Sequence, residues 1–210
     1  GGDFFTSYGY YSLFDPLVIV AYIIPLKYIE FSYYLLIMLR LYLSGVFIIF
    51  LAKKFDIKTN KALLALSIFY VFNNTVIYSA FRHPMFINGP MLIPLIILGT
   101  EKVLRKESPY LLILSATYAL MAQFYFFIFL AFGFELFVLI RTFQYEKGHK
   151  FIKFIKVNLY FLIGSLLASF VLLPQLYAVL LGGRTETKGF VWYGLREYFL
   201  YGTSYLIPIT

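Results

Sequence analysis

Residues 31–51 read FSYYLLIMLRLYLSGVFIIFL, twenty-one positions with a single charge, Arg40, and the next seven, AKKFDIK, hold three lysines. An α-helix rises 1.5 Å per residue, so roughly 20 apolar residues cross about 30 Å of bilayer hydrocarbon. The stretch therefore predicts a spanning helix that stops at a polar interface. Composition agrees: 61% of the 210 residues are hydrophobic and the mean hydropathy is +0.82, against roughly 45–50% apolar in soluble domains. Charged residues are 13%, about half the usual share. A soluble fold could not cover its surface with so few charges.

The same length test finds residues 62–80, closed by Phe81-Arg82-His83-Pro84, then residues 86–104, followed by Arg105 and Lys106. Residues 154–181 form the last apolar run, which ends at Gly182-Gly183. Residues 109–140 are too long for one span and short for two. Basic residues mark cytoplasmic loops. By that rule the lysines of 53–61, the group Lys102/Arg105/Lys106 and the group Arg141/Lys147/Lys150/Lys153/Lys156 all face inward. Segment 109–140 then has both ends inside and crosses an even number of times. It reads as two short helices with a break near Gln123, or as a re-entrant hairpin, which needs protein or water around its turn.

This bookkeeping predicts an all-α polytopic bundle of about six spans. Residues 1–30 form an outer loop with an interfacial or re-entrant helix, 31–181 the transmembrane bundle, and 182–210 an outer loop and the start of a further apolar segment. Segment 10–26 carries Asp15-Pro16 and Pro25, and it lies at the interface or dips in partway. The outer side also collects residues 81–87 and 122–125.

Several classes fall away. The net charge of +8 does not predict nucleic-acid binding, because the basic residues fill gaps between apolar runs. With no cysteine there is no disulfide, thiolate nucleophile or Cys metal site. No metal-binding HExxH, Walker loop, GxSxG or helically spaced carboxylate pair occurs.

The remaining polar residues need reasons. Arg40 at mid-span costs roughly 2.5–3.5 kcal/mol on insertion scales, so it meets either an anionic lipid-linked ligand or a structural partner such as a carboxylate on a missing helix. Arg82 and His83 are either a phosphate grip, since a guanidinium reads phosphate bidentately, or an interfacial anchor. Gln123 and Tyr125 suit sugar hydroxyls or helix capping. Arg184, Glu186 and Lys188 read as solvated charges or as part of the same site. Asn73-Asn74 are expected to hydrogen-bond between helices. Asp15-Pro16 looks like a helix start, with Asp as N-cap and Pro in the first position. Asp3 lies too near the start of the chain to convince as a general base.

The order of landmarks resembles the YfhO family of bacterial multi-pass membrane proteins, a branch of the GT-C glycosyltransferases. The matching stretches are Gly1-Gly2-Asp3-Phe4-Phe5 through Tyr10-Tyr11-Ser12-Leu13-Phe14-Asp15-Pro16, then the run from Met85-Phe86-Ile87-Asn88 through Leu92-Ile93-Pro94-Leu95-Ile96-Ile97-Leu98-Gly99-Thr100-Glu101. Gln123-Phe124-Tyr125-Phe126 falls where the family has Asn-Tyr-Tyr, and Leu172-Leu173-Pro174-Gln175 with Gly182-Gly183-Arg184 resembles its ending. Asn88 stands where the family often has Asp. The resemblance implies a fragment lacking the N-terminal helix and the C-terminal part, with the catalytic Asp upstream of residue 1.

It also implies a GT-C-like hexosyltransferase in the bacterial cell membrane with an extracytoplasmic active face. The enzyme would move a sugar from a polyprenyl-phosphate carrier to a cell-envelope polymer, without metal or other cofactor. Arg82, with His83 and Arg184, would hold the phosphate. Asn88, Gln123 and Tyr125 would orient sugar or acceptor, and Tyr8 and Tyr11 would stack on a sugar ring. The rival reading is a transporter or flippase of a lipid-linked substrate, which predicts inverted repeats and charges along a path.

Overall fold

The computed structural model describes residues 14–144 and 150–181. They form helices and turns, with no strand among the described residues. A six-residue helix α1 (Pro16–Ala21) leads through a 3-10 turn (Leu26–Tyr28) into α2 (Ile29–Lys54). Next come α3 (Asn60–Val71), α4 (Asn74–Arg82), a 3-10 turn (Pro84–Ile87) and α5 (Asn88–Leu104). The series closes with α6 (Tyr110–Ala122), α7 (Phe124–Gln144), α8 (Lys150–Leu167) and α9 (Ser169–Leu181). The described residues up to 175 make one compact body; of a second unit only the end of α9 is described.

Among the described residues three helices, Leu26–Lys54, Pro84–Leu104 and Phe124–Gln144, are long and apolar enough to cross a membrane. Two bent pairs raise the number to five if each is one span, and α6 is a shorter apolar helix. The chain is an all-α membrane protein. The break expected near Gln123 is there, because Gln123 is extended (φ −169°, ψ 107°) between α6 and α7. Two expected single runs are broken instead. Residues 62–80 fall in α3 and α4, which meet at 47°, and residues 154–181 fall in α8 and α9, which meet at 80°.

The first of these breaks has a local cause. Asn73 accepts from the Val76 amide at 3.0 Å, capping α4, and donates to the Tyr70 carbonyl at 2.6 Å. Its hydrogen bonds thus join the end of α3 to the start of α4, a structural role at the break. Tyr70 compensates another interruption. Pro94, inside α5, has no N–H to give the carbonyl four residues back. That carbonyl is Pro90, and the Tyr70 hydroxyl donates to it at 2.6 Å. In lipid such a group finds no water, so a neighbouring helix must satisfy it.

Helix α2 packs on α3 and α5, α5 on α6, and α6 on α8, while α7 leans on both α5 and α8. Glycines permit the closest approaches: a Cβ on Gly99 would sit 2.7 Å from the Leu112 nitrogen, and one on Gly164 would collide with the Ile113 carbonyl. Thr117 then donates to the Gly164 carbonyl at 2.8 Å. Small residues at crossings are how apolar helices associate without a hydrophobic driving force.

One end of the bundle gathers the basic segments. Lys54 pairs with Glu107, and Arg105 donates to the Lys54 carbonyl at 3.4 Å. Arg141 from α7 grips the fully buried Glu101 of α5 with two hydrogen bonds, one of them 3.2 Å long. The ends of α2, α5 and α7 thus meet, as the shared sidedness of the lysines and arginines near them predicts. Lys147 lies outside the described residues.

Candidate functional site

Arg40 lies fourteen residues, about 21 Å, before Lys54 on α2. Its partner belongs to this chain rather than to a missing helix. The Arg40 guanidinium reaches Asp15 Oδ2 at 2.7 Å and Asn88 Oδ1 at 2.8 Å, and the Asn88 amide donates to the same Asp15 oxygen at 2.7 Å. The other Asp15 oxygen caps α1 by accepting from the Leu17 amide at 2.9 Å, with the Tyr118 hydroxyl at 3.4 Å. Asp15, Arg40 and Asn88 are 0%, 3% and 2% exposed. A buried charge is tolerable only when paired and hydrogen-bonded, and this closed ring meets that condition.

The ring decides where residues 14–28 go. Asp15 sits level with Arg40 of α2, so the segment packs into the bundle at that level. Asp15-Pro16 is the expected cap and first-turn proline. Between α1, the start of α2 and the end of α4 a cavity of about 350 Å³ remains. Its walls include Ala21 and Tyr22 of α1, Tyr33 and Arg40 of α2, and Arg82 and His83.

Arg82 is exposed and makes no hydrogen bond or ion pair with the described residues. His83 ends α4, its amide bonded to the Ser79 carbonyl at 2.9 Å, and its ring lies 4.9 Å from that of Phe86. No carboxylate lines the cavity among the described residues, and the Arg40 charge is offset by Asp15. What remains at the mouth is an uncompensated guanidinium beside an imidazole. Such a pair has the hydrogen-bond donors that suit an oxyanion.

The other expected site residues separate. Asn88 does not open into the cavity, because both ends of its amide are spent on Arg40 and Asp15. Gln123, 2% exposed, is buried at the α6–α7 turn, and neither amide atom has a hydrogen-bond partner among the described residues. It lies outside the cavity wall. The Tyr125 ring rests edge-on against Phe126 and Phe129, at 5.7 and 5.1 Å. Phe126 in turn meets Phe86 at 4.5 Å, which joins this turn to His83. Tyr8, Tyr11, Arg184 and Asp3 lie outside the described residues. Among the described residues no group of three or more His, Asp or Glu could hold a metal ion.

The Arg40–Asp15 pairing escapes a sequence reading. The signal existed in two halves, a charge needing an anion at mid-span and an Asp-Pro cap in a marginal apolar segment. A family model described as the bacterial membrane protein YfhO matches residues 1–204. Neither the curated proteins nor the solved structures give a match.

Proposed function

The chain belongs to the YfhO family of bacterial membrane proteins, and from that premise we propose that it takes part in GT-C-type sugar transfer from a polyprenyl-phosphate carrier to a cell-envelope acceptor on the extracytoplasmic side. The observation that carries the reading is Arg82, without an anionic partner among the described residues and beside His83, at the mouth of a cavity opposite the lysine-rich end. In the reaction an acceptor hydroxyl attacks the anomeric carbon. The bond from that carbon to the carrier oxygen breaks, and its electron pair stays on the phosphate. Arg82 and His83 neutralise that leaving group. The hydroxyl proton goes to a carboxylate, and none of the described residues lining the cavity supplies one.

Asn88 acts through Arg40 as a positioning residue. Gln123 and Tyr125 are assigned to the sugar or acceptor, since a buried amide with no hydrogen-bond partner among the described residues gains most from a ligand hydroxyl. The transporter reading draws less support from Arg40, because its charge is offset by Asp15 within the ring.

Arg82→Ala should lower sugar transfer in vesicles by about a hundredfold or more, the range for losing a donor to developing charge. Expression and thermal unfolding should stay unchanged, and Arg82→Lys should recover only part. Transfer at the wild-type rate in Arg82→Ala would remove the pocket from the site.

A further inference from the structure

Glu135 stands six residues, about 9 Å, inside Arg141 on α7, and Lys156 six residues, about 9 Å, inside Lys150 on α8. Opposite charges thus lie at one depth on neighbouring helices. Both side chains are exposed, and neither forms an ion pair among the described residues. The half-buried Asn158 of α8 reaches the Glu135 carboxyl. One N–H of its amide already donates to the Phe154 carbonyl at 3.2 Å, so it offers a single donor to a carboxylate with about four acceptor sites. Lys156 Nζ lies 5.9 Å from the centre of the Tyr160 ring. Lipid tails hold neither a donor nor an anion, and an unsatisfied charge in hydrocarbon is costly.

The winding of α8 keeps the two groups apart within one copy. At about 100° per residue, Asn158 and Lys156 are about 200° apart, on opposite flanks of the helix. Between those flanks runs a stripe spaced four, three and four residues apart, formed by Ile155, Leu159, Leu162 and Leu166, each about half exposed. That is the heptad spacing by which one helix takes up another. The packed side of α8 is elsewhere: the Phe161 ring stacks on Phe127 of α7, and Gly164 abuts Ile113 of α6.

A two-fold axis along the membrane normal preserves depth and exchanges flanks. It sets Glu135 of each copy across the stripe from Lys156 of the other, so the face is self-complementary, as an isologous interface requires. We propose that a second copy of this chain docks on α8, stripe against stripe, with a Glu135–Lys156 pair closing the seam on either side. Burying apolar surface gains nothing in lipid, so close packing of the stripes and the two charge pairs hold the dimer. The inference stands apart from the sugar-transfer reading.

The test uses the full-length protein in native membranes, with one engineered cysteine in a cysteine-free background. Leu159→Cys, in the stripe, should give a disulfide-linked dimer on oxidation. Gly133→Cys should not, because it lies about 200° round α7 from Glu135, in open space where a Cβ meets nothing within 4 Å. Glu135→Lys or Lys156→Glu, each added to Leu159→Cys, sets like charges face to face and should cut the dimer about tenfold. Co-expressing the two should restore it, since a mixed dimer regains both pairs, whereas a folding defect would persist. No dimer from Leu159→Cys, or as much from Gly133→Cys, overturns the proposal. A dimer that the charge variants leave unchanged, or that they lose and the mixture does not recover, overturns the pairing.

Discussion

Asp15 serves two structures at once, the cap of α1 and the counter-ion of Arg40. Removing its charge leaves a guanidinium buried without an anion, which costs roughly 3–5 kcal/mol in soluble cores. Asp15→Asn should therefore lower the melting temperature in detergent steeply. Because Asn88 Oδ1 already touches the Arg40 Nε, the double variant Asp15→Asn/Asn88→Asp returns a carboxylate to the ring and should recover most of the loss. No recovery would mean that the α1 cap, and not the ion pair, is what matters. Tyr70→Phe is a smaller probe. It orphans the Pro90 carbonyl, at an expected cost of about 1–3 kcal/mol, and the same melting assay reads it.

At the scale of elements, the α6–α8 crossing depends on having no side chain at 164. Gly164→Leu should separate the two helices, break the Thr117 hydrogen bond and destabilise by roughly 1–3 kcal/mol or more, as overpacking does. Gly133→Leu, equally bulky but in open space, should not. The pair separates crowding from helix propensity in one melting experiment. The sequence revealed the elements unevenly. The break at Gln123 was legible because a polar residue interrupts an apolar run that must cross an even number of times. The bend after Leu167 was not, since Ala168 and its neighbours read as one continuous apolar stretch. The Asn73 cap was hidden because Asn inside an apolar run is equally a bridge between helices. Arg40 announced its need for an anion but not the position of that anion, 25 residues earlier in the chain.

For the whole molecule, the basic segments converge on one end and Arg82 with His83 occupies the other. The chain has no cysteine, so single substitutions report sidedness cleanly. Lys58→Cys and Ser108→Cys should react with an impermeant thiol reagent from the same side of sealed vesicles, and Arg82→Cys from the opposite side. The Lys54–Glu107 link at the basic end is also sensitive to acid. The hydrogen bond from Lys54 holds the Glu107 carboxyl below the usual carboxylate range. A depressed folded value means that the contribution is present above the unfolded pKa and is lost as pH falls through the folded one. Glu107→Gln should flatten the acid limb of a melting-temperature profile, and high salt should shrink the difference because the pair is exposed.

The buried ring also sets an order of assembly. Its members leave the ribosome as Asp15, Arg40 and then Asn88, with Tyr118 last, at about 5–20 residues per second. Arg40 must enter the bilayer seconds before the amide that completes its coordination exists. Through that interval Asp15 is its sole anion in the ring. Closing the ring waits for Asn88 of α5, so a ribosome stalled before residue 88 should leave residues 14–28 open to protease.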